Sequence, residues 1–305
     1  DDAKVLPKGV LRTYLAPSVS FGSQEFNEDG EKDDTDSATF INLGAAFEYG
    51  VNDWISAAVQ WGPGYNVYST FEDAEDQTAN GPFEAFVGAK VQVLGEMAPA
   101  KSDKFRVAFA PGVMVPLAFG YDAEEEAANA VAGDGDEYNV LPANNVFGIG
   151  GRFYADYVVN KQIFLNVYSQ YKYFFPKAGE DDFTQQYTKK QTESLGGSYT
   201  LPDEIDYGYE LTLEFEPHYA TMIADGVELS AGLPITYVIT PETEIDGTGQ
   251  DDATKSLDIT GNVSAFFQKL PLPMEVQVGY TYPVWGEKTA AINTLVTQLK
   301  FYAKF

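Results

Sequence analysis

The stretch Asp206-Tyr207-Gly208-Tyr209-Glu210-Leu211-Thr212-Leu213-Glu214-Phe215-Glu216-Pro217-His218-Tyr219 decides how this chain is read. In steps of two, Tyr207, Tyr209, Leu211, Leu213 and Phe215 fall on one face, and Asp206, Glu210, Thr212, Glu214, Glu216 and His218 on the other. A period of two means a β-strand, here with one wholly apolar side. In a soluble sandwich that side would meet a core, and in a membrane barrel it would meet hydrocarbon. The choice depends on whether the rest of the chain repeats the pattern.

The same alternation recurs over residues 11–21, 41–49, 55–61, 83–93, 105–117, 147–157, 163–173, 227–237, 257–267, 274–284 and 295–305, which makes twelve strands with the opening one. Each is compatible with the roughly 9 to 11 residues that a tilted membrane strand needs. The connections alternate in length. Short ones carry turn residues, such as Val51-Asn52-Asp53 and the hairpin signal Ala224-Asp225-Gly226. The long ones, 27–37, 69–81, 121–145, 176–204 and 241–256, hold 28 acidic residues against five basic ones. Residues 27–37, with six acids and one lysine, are expected as a solvated loop. A soluble sandwich would need two cores to bury twelve such faces, each backed by Arg, Lys, Glu and Gln. In lipid the pattern is natural, because a closed sheet pairs every backbone group and turns its apolar faces to hydrocarbon. The expectation is therefore an all-β chain forming one closed antiparallel transmembrane β-barrel of about 12 strands over residues 1–305. Long acidic loops lie outside, short turns lie in the periplasm, and residues 1–9 form a short periplasmic segment, with both termini periplasmic.

Composition narrows the partners. With 46 acidic and 19 basic residues the net charge is −27, which argues against nucleic acid and against docking on anionic lipid. There is no cysteine, hence no disulfide and no thiolate metal site. No apolar run reaches the roughly 18 residues of a membrane helix. Beginning at Asp1, the chain reads as a mature form whose targeting segment has been removed.

The end of the chain, Leu299-Lys300-Phe301-Tyr302-Ala303-Lys304-Phe305, resembles the C-terminal assembly signal of Gram-negative outer-membrane β-barrels, with alternating apolar positions and a terminal Phe. The resemblance is one of class and covers the whole chain. It implies an outer-membrane location, a surround of outer-membrane lipid, and recognition of the Phe305 strand by the barrel assembly machinery. It also implies a porin-like role in passing small solutes. Val278-Gly279-Tyr280-Thr281-Tyr282-Pro283-Val284-Trp285 is similar to phrasing in spirochaetal barrels distantly related to the long-chain fatty acid transporters. Those transporters carry more strands and a sizeable N-terminal hatch, whereas only about ten residues precede the first strand here.

Prolines punctuate the strands. Arg12 to Val19 and Arg106 to Val113 share Arg, Ala, Pro and Val at equal offsets, and Pro63, Pro234 and Pro283 sit in other strands of the same direction. Without an N–H, each marks a bulge or bend.

By parity, strands eight to eleven point Glu210, Glu214, Glu216, Glu228, Asp258 and Glu275 inward, and the flanking strands point Arg12, Lys90, Arg106, Arg152, Lys172 and Lys300 inward. Two readings stay open. One is a transverse field across a water-filled constriction that sets solute selectivity. The other is a set of ion pairs that plugs a narrow barrel. His218 is the only histidine and shares the polar face. A twelve-stranded outer-membrane phospholipase resembles this architecture and uses a lipid-facing His-x-Ser pair. Here His218-Tyr219-Ala220 lacks the nucleophile, so His218 is expected as a hydrogen-bonding wall residue and the chain as neither an enzyme nor a cofactor binder. Glu214 and Glu216 as a glycosidase pair would lack a cleft. Asp134, Asp136 and Glu137, and the run Asp246 to Asp252, are Ca²⁺-like fragments without EF-hand spacing, expected as solvated tips with at most weak divalent binding.

The expected function is passive diffusion of small hydrophilic solutes. A structural or adhesin-like barrel with a plugged lumen, and a hydrophobic-ligand transporter, are the alternatives.

Overall fold

The computed structural model describes residues 2–72, 77–133 and 137–305. Its main sheet has twelve strands: β1 Val10–Phe26, β2 Lys32–Asn52, β3 Ile55–Phe71, β4 Ala85–Leu94, β5 Phe105–Val115, β6 Gly148–Val158, β7 Ile163–Phe174, β8 Tyr209–Ala224, β9 in two parts, Val227–Gly232 and Ile235–Thr240, β10 Thr254–Phe267, β11 Met274–Glu287 and β12 Asn293–Lys304. Each pairs antiparallel with the next, and β1 pairs with β12, Val10 opposite Lys304 and Leu15 opposite Leu299. The ring is closed, so no lipid-facing edge is left unpaired.

The faces fall as the alternation requires. Phe47 is 58% exposed and Val263 60%, both on the outside, whereas Asn166 and Asp156 on the inside are 0% and 2% exposed. This is inverted relative to a soluble protein, and it places the apolar band where hydrocarbon replaces water.

Prolines break the ladder locally. The β2–β3 register shifts next to Pro63, β9 is interrupted at Leu233-Pro234, and the β10–β11 register shifts beside Pro283. Each break sits where a ladder donor is missing.

Three expectations are corrected. Residues 27–37 are not simply a loop: β1 and β2 continue as a hairpin until Phe26 faces Lys32, with Asp33 and Asp34 paired into the ladder. Backbone pairing carries on beyond the apolar band because it does not need an apolar face. The two longest connections are partly helical, with α1 Ala123–Ala132 and α2 Phe183–Ser194. Asp122 caps α1 by accepting the amides of Glu124 and Glu125, Gly133 ends it in the left-handed region, and Asp182 caps α2 through the Gln185 amide. The helices pack together, with Lys190 on Glu124 at 2.6 Å. Tyr207 is also misplaced by simple parity. Gly208 has φ +68°, which ends the strand alternation at Tyr209 and turns Tyr207 inward.

Residues 2–9 lie inside the short-turn end of the barrel. The Leu6 amide donates to Ser56 Oγ at 2.9 Å, and the Gln92 side chain donates to the Ala3 carbonyl at 3.0 Å. The segment thus runs as a strap from β1 past β3 and β4 to β6, with Ala3 fully buried.

Candidate functional site: the barrel lumen

The inward side chains of neighbouring strands meet by register. Arg12 is opposite Glu48, Arg106 opposite Asp156, Lys172 opposite Glu210 and Glu275 opposite Lys300. All four form ion pairs: Arg12–Glu48, Arg106–Asp156 at 2.7 Å, Lys172–Glu210 at 2.7 Å and Lys300–Glu275 at 3.0 Å. Directly opposed opposite charges are the sheet counterpart of helical i, i+4 pairs. Tyr302 adds its hydroxyl to Glu275 at 3.0 Å. Glu48 and Asp156 are paired wall residues that parity alone did not single out. Their signal was positional: each stands on the polar face directly across from an arginine.

The remaining acids lie on β8 to β10. Glu214 accepts the Thr236 hydroxyl at 3.0 Å, and Glu216 lies 3.3 Å from His218 Nδ1. His218 stacks on Phe164 with centroids 4.5 Å apart, a wall role. Glu228 is opposite Phe266, and Asp258 is opposite Thr236 and beside Ser256. Lys90 donates to the backbone carbonyls of Asp2 and Lys4 at 2.8 and 3.3 Å and lies over the Tyr154 ring at 3.9 Å. The lumen is therefore not two opposed arcs of bare charge. Local pairs neutralise Arg12, Arg106, Lys172 and Lys300, and the acids Glu214, Glu216, Glu228 and Asp258 all lie on β8 to β10.

Arg152 differs from the paired bases. Its Nε donates to Gln170 Oε1 at 2.7 Å and its Nη1 to Gln60 Oε1, and the guanidinium lies over Phe86, Cζ 3.8 Å from the ring centroid. Among the described residues no carboxylate lies within ion-pair distance of it. The opposite end of the Gln60 amide donates to Glu48 at 2.6 Å, which orients its oxygen toward Arg152.

Two cavities lie end to end. The upper one, about 860 Å³, is lined by Tyr121, Lys177, Asp182 and Phe183 among others under the loop helices. The lower one, about 700 Å³, reaches into the barrel, with Tyr14, Phe86, Met114, Arg152 and Gln170 in its wall. Ala143, Asn144, Tyr207, Thr243 and Asp252 line both and form a neck. At the neck Tyr207 donates its hydroxyl to Asp182 at 2.9 Å, and Lys177 pairs with the same carboxylate at 3.1 Å. Burial, and then the Asp182 charge, push the Tyr207 phenol well above its ordinary range, so it stays protonated and donating.

Below the lower cavity, Tyr154 and Tyr168 close ranks with Ala3, Ala108 and Ala110. Beneath them Asp156 holds the strap by accepting the Ala3 amide, and it also accepts from Asn166 at 2.6 Å. The strap thus narrows the lumen at the short-turn end, and both cavities lie on the long-loop side of it.

Of the calcium-like fragments, Asp134 and Asp136 lie outside the described residues, and Glu137 is exposed. Asp246 and Asp252 accept loop amides, Asp246 from Asp203 and Glu204, and Asp252 from Thr243. Among the described residues no group of three or more metal-ligating side chains is gathered.

This is the fold of outer-membrane barrel channels. Neither a family model nor a curated protein matches the chain. Among solved structures it is similar to the COG4313 outer membrane channel from Pseudomonas putida F1, at 12% identity over 99% of this chain and 98% of that one, with a TM-score of 0.69. The translocator domain of the autotransporter NalP from Neisseria meningitidis follows at 10% identity, covering 97% and 89%, with a TM-score of 0.48. At 12% identity the likeness to the COG4313 channel is one of fold.

Proposed function

We propose that the chain is an outer-membrane channel for the passive diffusion of small hydrophilic solutes, with the acidic loops outside and both termini in the periplasm. The observation that carries this reading is the pair of abutting cavities that leads from the long-loop end to the middle of a closed barrel. An apolar outer band lets the barrel sit in lipid, and the polar wall keeps the passage wet. The side chains Glu210, Glu214, Glu216, His218, Glu228, Asp258 and Glu275, with Arg12, Lys90, Arg106, Arg152, Lys172 and Lys300, set its selectivity. The net acid at the mouth concentrates cations ahead of the neck. The C-terminal strand ending at Phe305 serves recognition by the assembly machinery.

The strap supports a second reading, a barrel whose lumen is permanently closed and whose loops face a partner. Proteoliposome swelling separates the two. A channel admits small sugars and amino acids faster than a trisaccharide. No swelling with any solute, from intact protein and from protein lacking residues 1–8, would favour the closed barrel.

A further inference from the structure

Of the charged side chains that line the lower cavity alone, below the neck, two have no ion-pair partner among the described residues. Arg152 is one. Glu84 is the other: it lines the same cavity, its Oε2 is enclosed, and the carboxylate accepts no hydrogen bond among the described residues. The charged pair that shares the cavity with them, Lys172 and Glu210, is already joined at 2.7 Å. A carboxylate without a donor is costly when removed from water, and a guanidinium tied only to the uncharged groups of Gln60, Gln170 and Tyr154 keeps its affinity for an anion.

The wall is built to present Arg152. Gly88, Gly112 and Gly150 face one another across β4, β5 and β6. A Cβ on Gly88 would stand 2.7 Å from the Phe86 ring, and one on Gly112 would overlap it. The missing side chains let Phe86 lie flat against the wall. Arg152, which starts one residue pair further down β6, lies over that ring and is fixed there by Gln60 and Gln170. A planar guanidinium held on an aromatic face suits capture of a carboxylate. Phe83, Phe174 and Tyr209 supply apolar surface around it.

We propose that this chamber is a binding site for small zwitterions of the amino-acid type, the carboxylate held by Arg152, the ammonium held by Glu84 and the side chain resting on the aromatic wall. An anion lacking the amino group leaves Glu84 without a donor, and a cation lacking the carboxylate leaves Arg152 without an acceptor. The proposal names a substrate class for the channel and rests on that reading for its physiological meaning. The binding itself requires no conduction.

The test is equilibrium binding in detergent with the refolded full chain, using L-phenylalanine, 3-phenylpropionate and phenylalaninamide as probes, with heat-modifiable electrophoretic mobility reporting that each variant is folded. Phenylalanine is expected to bind, and each singly charged analogue to bind about tenfold or more weakly. Arg152→Gln is expected to weaken phenylalanine and phenylpropionate while leaving phenylalaninamide unchanged. Glu84→Gln is expected to weaken phenylalanine and phenylalaninamide while leaving phenylpropionate unchanged. Absence of phenylalanine binding by folded protein, equal binding of all three probes, or variants that do not discriminate between them would overturn the proposal. A barrel that binds phenylalanine but passes no solute would contradict the channel reading alone.

Discussion

Asp156 on β6 takes the backbone amide of Ala3 between its two carboxylate oxygens, each 3.2 Å from the nitrogen. The same carboxylate neutralises Arg106 at 2.7 Å and accepts Asn166 at 2.6 Å, so one side chain ties the strap to the wall and satisfies two neighbours. It is fully enclosed, with a side-chain exposure of 0%.

Replacing Asp156 by Ala removes the ion-pair partner of Arg106 inside the barrel and leaves Asp2 as its remaining acidic neighbour. A loss of about 3 to 5 kcal/mol is expected, as for other broken buried pairs. Asp156→Asn keeps an acceptor and is expected to lose less. Urea unfolding of the refolded barrel in lipid vesicles measures both, and equal stability of the Ala variant and the parent would exclude this role.

Two glycines on the neighbouring strands β5 and β6 differ in the space around them. A methyl on Gly112 would overlap the Phe86 ring and approach the Val87 carbonyl at 2.7 Å, whereas one on Gly151 meets nothing within 4 Å. Gly112→Ala is expected to destabilise by about 1 to 3 kcal/mol by forcing Phe86 off the wall. Gly151→Ala, facing outward, is expected to be close to neutral. The same unfolding assay ranks them, and similar losses at both sites would contradict the packing described for Phe86.

The loop helices give a pH dependence with a definite sign. The Lys190 ammonium, donating a hydrogen bond to Glu124 and attracting its charge, holds that carboxyl below the ordinary glutamate range. A carboxyl with a depressed folded-state pKa contributes stability that is complete above its unfolded-state pKa and is lost as pH falls through the folded value. The contact between α1 and α2 is therefore expected to loosen in acid. Carbon-detected NMR titration of Glu124 should give a midpoint below that of free glutamate, and Lys190→Gln should raise it. A midpoint unaffected by Lys190→Gln would remove the pair from the account of these helices.

The acid cluster on β8 to β10 is expected to favour cations. Glu214→Gln removes one charge from it while keeping an acceptor for Thr236. The reversal potential in a KCl gradient is expected to move toward reduced cation preference, and an unchanged potential would show that Glu214 does not act on the permeating ions.

Much of the fold was legible because a period of two is enforced by lipid on one side and water on the other. Twelve strands and their faces followed from that rule, and the disruptions at Pro63, Pro234 and Pro283 from the N–H that proline lacks. The limits of legibility are equally physical. The β1–β2 hairpin outgrows its apolar band because hydrogen bonding alone sustains it, so Asp33 and Asp34 looked like loop. Tyr207 left the lipid face because Gly208 takes φ +68°, a backbone choice invisible to parity. Pairs such as Arg12–Glu48 and Arg106–Asp156 depend on which residues stand opposite one another, and parity within a single strand carries no register. The strap, residues 2–9, has no periodicity to read. Its place is set by Ser56, Gln92 and Asp156, far away in sequence.

The most direct measurement is single-channel current in planar bilayers from the intact chain and from a form lacking residues 1–8. Stable current steps are expected from the intact chain, several-fold larger once the strap is removed from the short-turn end. Bilayers that stay silent with both forms, although electrophoretic mobility reports folded barrels, would contradict the reading of this lumen as a passage.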